Sequence, residues 1–481
     1  MLNRRNLLKL TAAGGAAALF PWERVAAAGS PATGPAALAE TADAAPFAQA
    51  MPVPRVLRPV RSTRSADFYR MRMKEADAEI VKGLTSRVRT YGGTFPGPTI
   101  RARSGREVVI RQTNGLTVPT AVHLHGGHVR SEHDGLPMDT IEPGDSRTYR
   151  YPNTQRASSL WYHDHAHHLE AENVFLGLHG TYLLSDREER RLPLPSGRYD
   201  IPLAIRDARV EADGTLRYTR PSDCPNMLVN GKERPYFEVA ARKYRLRLYN
   251  ACANRYLRLR FADGAEFTQI GSDGGLLAEP VGHTEVTLLG GERLDVVVDF
   301  ARYRVGTSVV LENTGALPGE RPEVMRFDVV RGTADRSRVP DRLAELPPVP
   351  RGTVERDFTL QTFPAMTING RTYDPERADV VTRVGSSEVW TIRNVDTPVA
   401  PPDFHVWHSF HTHLVMFRVL ERNGGPAGPT DAGLKDTVTL GPGESVKIAM
   451  TWGEYSGQYV FHCHQLGHSS GGQMGRIDVL P

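Results

Sequence analysis

Ten of the seventeen histidines in the chain fall into four short clusters: His123 and His125; His163 and His165; His408, His411 and His413; and His462, His464 and His468. The last cluster also holds Cys463. Imidazole and thiolate together suit copper, zinc or iron better than calcium or magnesium. In a β-strand, side chains at i and i+2 share one face and stand roughly 6–7 Å apart. The two histidines of one H-x-H pair are therefore badly spaced to share an ion and well spaced to serve neighbouring ions. Four such pairs (123/125, 163/165, 411/413 and 462/464) supply eight imidazoles, a number that suits a cluster of three metals. Cys463 points to the opposite face of its strand, where it can meet His408 and His468. Two histidines and one cysteine make the trigonal site of a blue copper centre. Electrons arriving at Cys463 then have a covalent route through the backbone to His462 and His464. Zinc fits less well, since it wants four ligands and only one suitable thiolate is offered.

Clusters of this kind need strands to hold them, and the chain is rich in short alternating runs. Glu107–Asn114, Tyr244–Tyr249 and Glu388–Asn394 each alternate apolar and polar residues and are bounded by Gly, Pro, Asn or Asp, as half-buried strands are. The runs also repeat as a set. EVVIRQTN, HLHG, PGDSRTYRY, SLWYHDH and GLHGTYLL in the first third answer to EVWTIRN, HSFHTH, PGESVKIAMTW, GQYVFHCH and GQMGRIDVL in the last. The middle third carries KYRLRLYN and GGERLDVVVDF without the histidine pairs. A single H-x-H pair arises readily by chance; four at matching points of a repeat do not. The expectation is an all-β protein of three sandwich domains, over residues 51–192, 193–345 and 346–481, the middle one without metal ligands. The boundaries lie near Pro193–Pro195 and in the Pro-rich Leu346–Pro350.

The N-terminus reads as an address. Arg4 and Arg5 precede an apolar stretch ending near Phe20, and Ala26–Ala28 offers a small-residue cleavage site. This is the layout of a twin-arginine export signal over residues 1–28, which sends a folded protein to an extracellular, periplasmic or cell-surface location. Residues 29–50 are Ala-rich and poor in large apolar groups, and read as a disordered leader. No segment is long and apolar enough to span a bilayer. The formal charge of +4 falls to +1 once the four cations and one anion of the signal are removed, so nothing argues for nucleic acid or an anionic membrane. The three cysteines cannot all pair with one another. Cys224 and Cys252 are candidates for a disulfide in an oxidising exterior.

HLHG, WYHDH, HSFHTH and HCHQLGH resemble, as a set, the four copper-binding signatures of the multicopper oxidases, and the likeness runs from about Tyr91 to Val479. TYGGTFPGPTIR, VNGKERPYFEV, RKYRLRLYNA and QIGSDGGLL are most similar to the branch of bacterial spore-coat laccase, bilirubin oxidase and phenoxazinone synthase. The resemblance implies three cupredoxin-like Greek-key domains and four copper ions. It places type 1 copper on His408, Cys463 and His468, and type 2 copper on His123 and His411. One type 3 copper would take His125, His163 and His464, and the other His165, His413 and His462. It implies an oxidase that draws single electrons from small aromatic reductants (ortho-aminophenols, catechols, other phenols) and passes four of them to dioxygen, giving water.

Several positions depart from the pattern. The family's weak axial ligand to type 1 copper, usually Met, falls at Gln473, with Met474 beside it. Gln473 is the favoured axial donor and Met474 the alternative. A Gln oxygen is expected to stabilise Cu(II) and lower the potential. The Glu that often follows the last histidine is Ser469, which leaves Asp134 as candidate for proton supply; the bland reading of Asp134 is an Asp-Gly turn. The usual Pro of the third motif is Ser409. His128, His133, His167, His168, His179, His283 and His405 are not expected to be ligands. An oxidase of Cu(I) or Fe(II) is the second functional reading, though no Met or carboxylate docking group is identifiable near His408 or His468. An exported scaffold that has lost copper is the third, and the complete set of histidines opposes it.

Overall fold

The computed structural model describes residues 40–42, 44–398 and 406–481. The export signal, residues 29–39 of the expected leader, and His405 lie outside the described residues. What is described is built from three pairs of sheets. In the first, a sheet formed by Arg61–Ser62, Ala66–Ala78, Glu107–Asn114 and Ser146–Tyr151, with Ser86–Tyr91 on its flank, faces a sheet formed by Gly97–Arg103, His179–Ser185, Ser158–Asp164 and Val122–His125. Tyr69, Met71, Ile110 and Tyr149 from one sheet meet Ile100, Leu124, Tyr162 and Tyr182 from the other in one buried core. The second pair has seven and five strands, and the third six and five. Each pair encloses its own apolar core. The strands of the three pairs span 61–185, 200–332 and 354–480.

The alternation seen in the sequence is what makes these sandwiches. In Ser387–Asn394, Glu388, Trp390, Ile392 and Asn394 all turn inward while the residues between them are half-buried or exposed. Trp390 is fully buried, which is worth roughly 1.5–3 kcal/mol for a large apolar side chain. The inward Glu388 is compensated by Arg356, at 2.7 Å, and by the Trp390 indole N–H, at 2.7 Å. Helix is scarce among the described residues, and its two short α segments, Glu170–Phe175 and Leu466–Ser470, pack on each other. No helix there is long and apolar enough to cross a membrane.

Two expectations need correction. The segment assigned to a disordered leader is ordered from residue 40 where described: Thr41 bridges Glu211, Ala50 bridges Tyr236, and the Ala42 amide donates to Val210 at 2.8 Å. Small side chains let this strand lie close on the second sandwich, where Ala42 is buried beside Val210 and Leu228. The other correction concerns Cys224 and Cys252, which are buried free thiols. The Cys252 sulfur accepts from the Asp207 amide at 3.2 Å, and the Cys224 thiol donates to the Arg220 carbonyl at 3.4 Å. Burial pushes both thiols well above their usual range.

Candidate metal centres

Strand register brings the histidine clusters together. His123 stands opposite His163 in one sheet of the first sandwich. In the third, His411 stands opposite His462 and Phe410 opposite Cys463. Ring centroids within the four pairs lie 5.9, 5.8, 5.0 and 5.5 Å apart in chain order. All eight imidazoles are buried and meet between the first and third sandwiches.

Seven of the eight rings are held by one nitrogen and offer the other, while His464 Nδ1 has no hydrogen-bond partner. Nδ1 of His123, His163, His411 and His462 contacts the backbone carbonyl of Asp134, Asp164, Asp436 and Cys463 at 2.6, 2.8, 2.8 and 3.0 Å. A carbonyl only accepts, so these Nδ1 atoms carry the proton and Nε2 presents a lone pair. His413 Nδ1 is held by Asp134 Oδ2 at 2.6 Å, and His165 Nδ1 lies 3.0 Å from Glu170 Oε2. His125 is reversed: Nε2 is held by Asp436 Oδ1 at 3.0 Å and Thr437 Oγ1 at 3.1 Å, leaving Nδ1 inward. Outer partners of this kind fix tautomer and aim in metal sites.

The offered nitrogens converge. His165 Nε2 faces His462 Nε2 at 3.2 Å, with His413 in reach of both. His464 Nε2 faces His125 Nδ1 at 3.1 Å and His163 Nε2 at 3.4 Å. Nε2 of His123, His411 and His413 is buried with no hydrogen-bond partner. Lone pairs that face one another in a buried pocket repel, and cations among them relieve the repulsion. Burial, then the neighbouring histidines, pushes His163 down to about 3, and burial does the same to His462, down to about 4. Burial also holds His123, His125, His411, His413 and His464 well below the usual range. Neutral imidazole is the form that binds metal. His165 is the exception: burial lowers it, but the Glu170 carboxylate outweighs burial and raises it.

A second centre lies on the other face of the last strand. His408, Cys463 and His468 offer ligand atoms within 4.8 Å of one another, all buried. The Cys463 sulfur is 3.5 Å from His468 Nδ1, and the His408 and His468 rings are 5.1 Å apart. His408 Nε2 is held by Asp396 Oδ2 at 3.0 Å, and His408 Nδ1 has no hydrogen-bond partner. Gln473 is tied into the same place: its amide donates to the His468 carbonyl at 2.9 Å, and its carbonyl accepts from the Cys463 amide at 3.1 Å. Its side-chain Nε2 donates to the carbonyls of Gln361 and Thr367, while Oε1 is buried without a partner. Met474 lines a separate cavity with Phe461, Arg371 and Asp379.

Asp134 joins its two sequence readings. It is the Asp of an Asp-Gly turn, and that turn carries it into the cluster. Gly135 has φ +75, and a Cβ there would sit 2.2 Å from the Val122 carbonyl oxygen, so only glycine allows the chain to pass so close. Asp134 is fully buried between His413 and His123, and burial pushes its carboxyl up to about 8.

Four site residues escaped the sequence reading: Glu170, Asp396, Asp436 and Arg293. Glu170 reaches His165 from the first short helix and accepts from the Ser469 hydroxyl on the second. Asp436 is clasped by Arg293 of the middle sandwich at 2.6 and 2.5 Å. The sandwich without histidine pairs thus buttresses the cluster. Asp436 and Arg293 arrive by tertiary approach, so local spacing carries no signal for them. Glu170, close after His165, and Asp396, on the loop before His408, are near in the chain but belong to no ligand-spacing motif. None of the described histidines outside the four clusters joins a group able to hold an ion.

The chain is similar to known proteins along most of its length. Family descriptions for multicopper oxidase match residues 72–189 and 340–481, and the twin-arginine signal family matches residues 1–21. The chain is therefore exported by the twin-arginine route. A laccase from Bacillus subtilis is 35% identical over 90% of this chain and 98% of its own. A bilirubin oxidase from Albifimbria verrucaria is 35% identical over 90% of this chain and 82% of its own. The crystal structure of a laccase from Pediococcus acidilactici superposes with a TM-score of 0.84 at 28% identity, covering 92% of this chain and 96% of that one. With cupredoxin-like sandwiches, buried histidine clusters and likeness along nine-tenths of its length, this copper-binding oxidoreductase belongs to the multicopper oxidase family.

Proposed function

We propose that the protein is a laccase-type oxidase that takes single electrons from small aromatic reductants and delivers them to dioxygen, using four copper ions. The observation that carries this reading is the convergence of eight buried imidazoles behind a cysteine–histidine site on the same strand. Bound copper would supply reversible one-electron redox chemistry at the cysteine site and dioxygen reduction at the histidine cluster.

The residues then divide the work. His408, Cys463 and His468 would hold the electron-entry ion, and Gln473 Oε1 would be a further donor to it, a role supported by its buried, unpartnered state and by Met474 facing another cavity. The backbone of Cys463 would give electrons a covalent route to His462 and His464. His123 and His411 would hold the type 2 ion. His125, His163 and His464 would hold one type 3 ion, and His165, His413 and His462 the other. Asp134 holds a proton near neutral pH beside His413, which supports a part in supplying the four protons that reduction of dioxygen to water consumes.

The test is oxygen uptake by the copper-loaded mature protein with 2-aminophenol, alongside its visible spectrum. A thiolate-to-copper band near ~600 nm with uptake is expected; the band without uptake would overturn the aromatic substrate class. A second reading, oxidation of Fe(II) or Cu(I), has one observation in its favour. Asp396 is a carboxylate buried against His408, which puts an anionic group beside the electron-entry site. Uptake with Fe(II) and none with aminophenols or phenols would favour it.

A further inference from the structure

We propose that Ser409 tunes the electron-entry site: its backbone N–H, which a proline there would lack, donates to the Cys463 sulfur and raises the reduction potential of the copper held by that sulfur. The inference rests on the reading of Cys463 as the ligand of the electron-entry copper.

The Ser409 nitrogen lies 3.5 Å from Cys463 Sγ, a normal length for a bond to sulfur, and both groups are fully buried. The residue is locked in place on two further sides. Its hydroxyl donates to the Gly290 carbonyl of the middle sandwich at 2.7 Å, and its carbonyl accepts from the His464 amide at 2.5 Å. The hydroxyl therefore faces away from the sulfur, and only the N–H acts on it. The Gln465 backbone N–H is a second hydrogen-bond donor to the same sulfur. The family pattern puts proline at 409, where no N–H exists.

The sign follows from electron density. The thiolate donates strongly to Cu(II) and less to Cu(I). A hydrogen bond draws density from sulfur, weakens that donation, and costs the oxidised form more than the reduced form; hydrogen bonding at the cysteine sulfur is one of the levers on blue-copper potential. Gln473 Oε1 acts in the opposite direction as a harder axial donor. The potential is then set by two opposed contacts. The Ser409 N–H widens the range of reductants that Gln473 would narrow.

The experiment uses the full mature chain loaded with copper, as wild type, Ser409→Ala and Ser409→Pro. The potential is read by redox titration of the thiolate band. Ser409→Ala keeps the N–H and is expected to leave the potential where it is. Ser409→Pro is expected to lower it, and to cut kcat/KM for a hard-to-oxidise phenol more than for 2-aminophenol. An unchanged or higher potential in Ser409→Pro, or an equal fall in Ser409→Ala, overturns the proposal. If Ser409→Pro loses the band, serine labelled with 15N in the wild type decides the matter. Hyperfine coupling of the oxidised copper to a serine backbone nitrogen is expected, and its absence overturns the proposal. A wild type without the band overturns the copper reading itself, which separates the two failures.

Discussion

Gln473 is fastened by its side-chain nitrogen to the carbonyls of Gln361 and Thr367, so its oxygen has one direction left to face. Replacing that oxygen by a softer thioether, in Gln473→Met, is expected to raise the potential of the electron-entry site; redox titration reads it, and a fall would contradict the axial assignment. Around the eight histidines, the outer partners carry as much of the design as the rings. Glu170 meets His165 on one side and Ser469 on the other, so a carboxylate that the third sandwich lacks at 469 is supplied by the first. Glu170→Gln should weaken copper retention about 10-fold or more, the usual cost of removing such a partner, measured by competition with a chelator. Asp134→Asn keeps the shape and removes the titrating oxygen. We expect kcat to fall by ~100-fold at neutral pH, with the ~600 nm band intact. An unchanged rate, with substrate oxidation kept non-limiting, would reduce Asp134 to its turn.

At the scale of elements, strand period and tight turns place the ligands. The H-x-H pairs were legible because a two-residue period is a local property, and register then sets His123 against His163 and His411 against His462. The turn at Gly291 shows how little room remains: its φ is +90, and a Cβ would lie 3.0 Å from both the His125 and His464 rings. Gly291→Ala is expected to cost copper from the histidine cluster while sparing the thiolate band; loss of both would point to a general folding defect. What sequence could not show are contacts between elements far apart in the chain. Asp436 meets Arg293 and His125 only after the sandwiches have docked, and Asp396 meets His408 only when the loop between two strands of the third sandwich folds back. Residues 40–50 misled for a related reason, since an Ala-rich segment reads as disordered until a partner surface accepts it.

The whole molecule encloses these imidazoles in a buried interface, and this makes its stability depend on pH. Seven of the eight cluster histidines are pushed below their ordinary range. Unfolded histidines take up protons near ~6.5, so below that pH the unfolded state binds more protons and stability falls with acid. Asp134 and Asp164, pushed by burial up to about 8 and about 7, act in the opposite sense, since in the same window the folded state binds their protons. The histidines outnumber them, and the copper-free protein should show a lower denaturation midpoint at pH 5 than at pH 7. A midpoint that rises on acidification would contradict the burial argument. One strand divides its ligands between an electron-entry ion on one face and a histidine-held cluster on the other, on this reading of Cys463, His462 and His464. Copper content of the loaded wild type beside Cys463→Ser tests that division. About four ions per chain are expected in the wild type and about three in the variant, with the ~600 nm band lost. Loss of all copper in the variant, or no stoichiometric copper in the wild type, would contradict it.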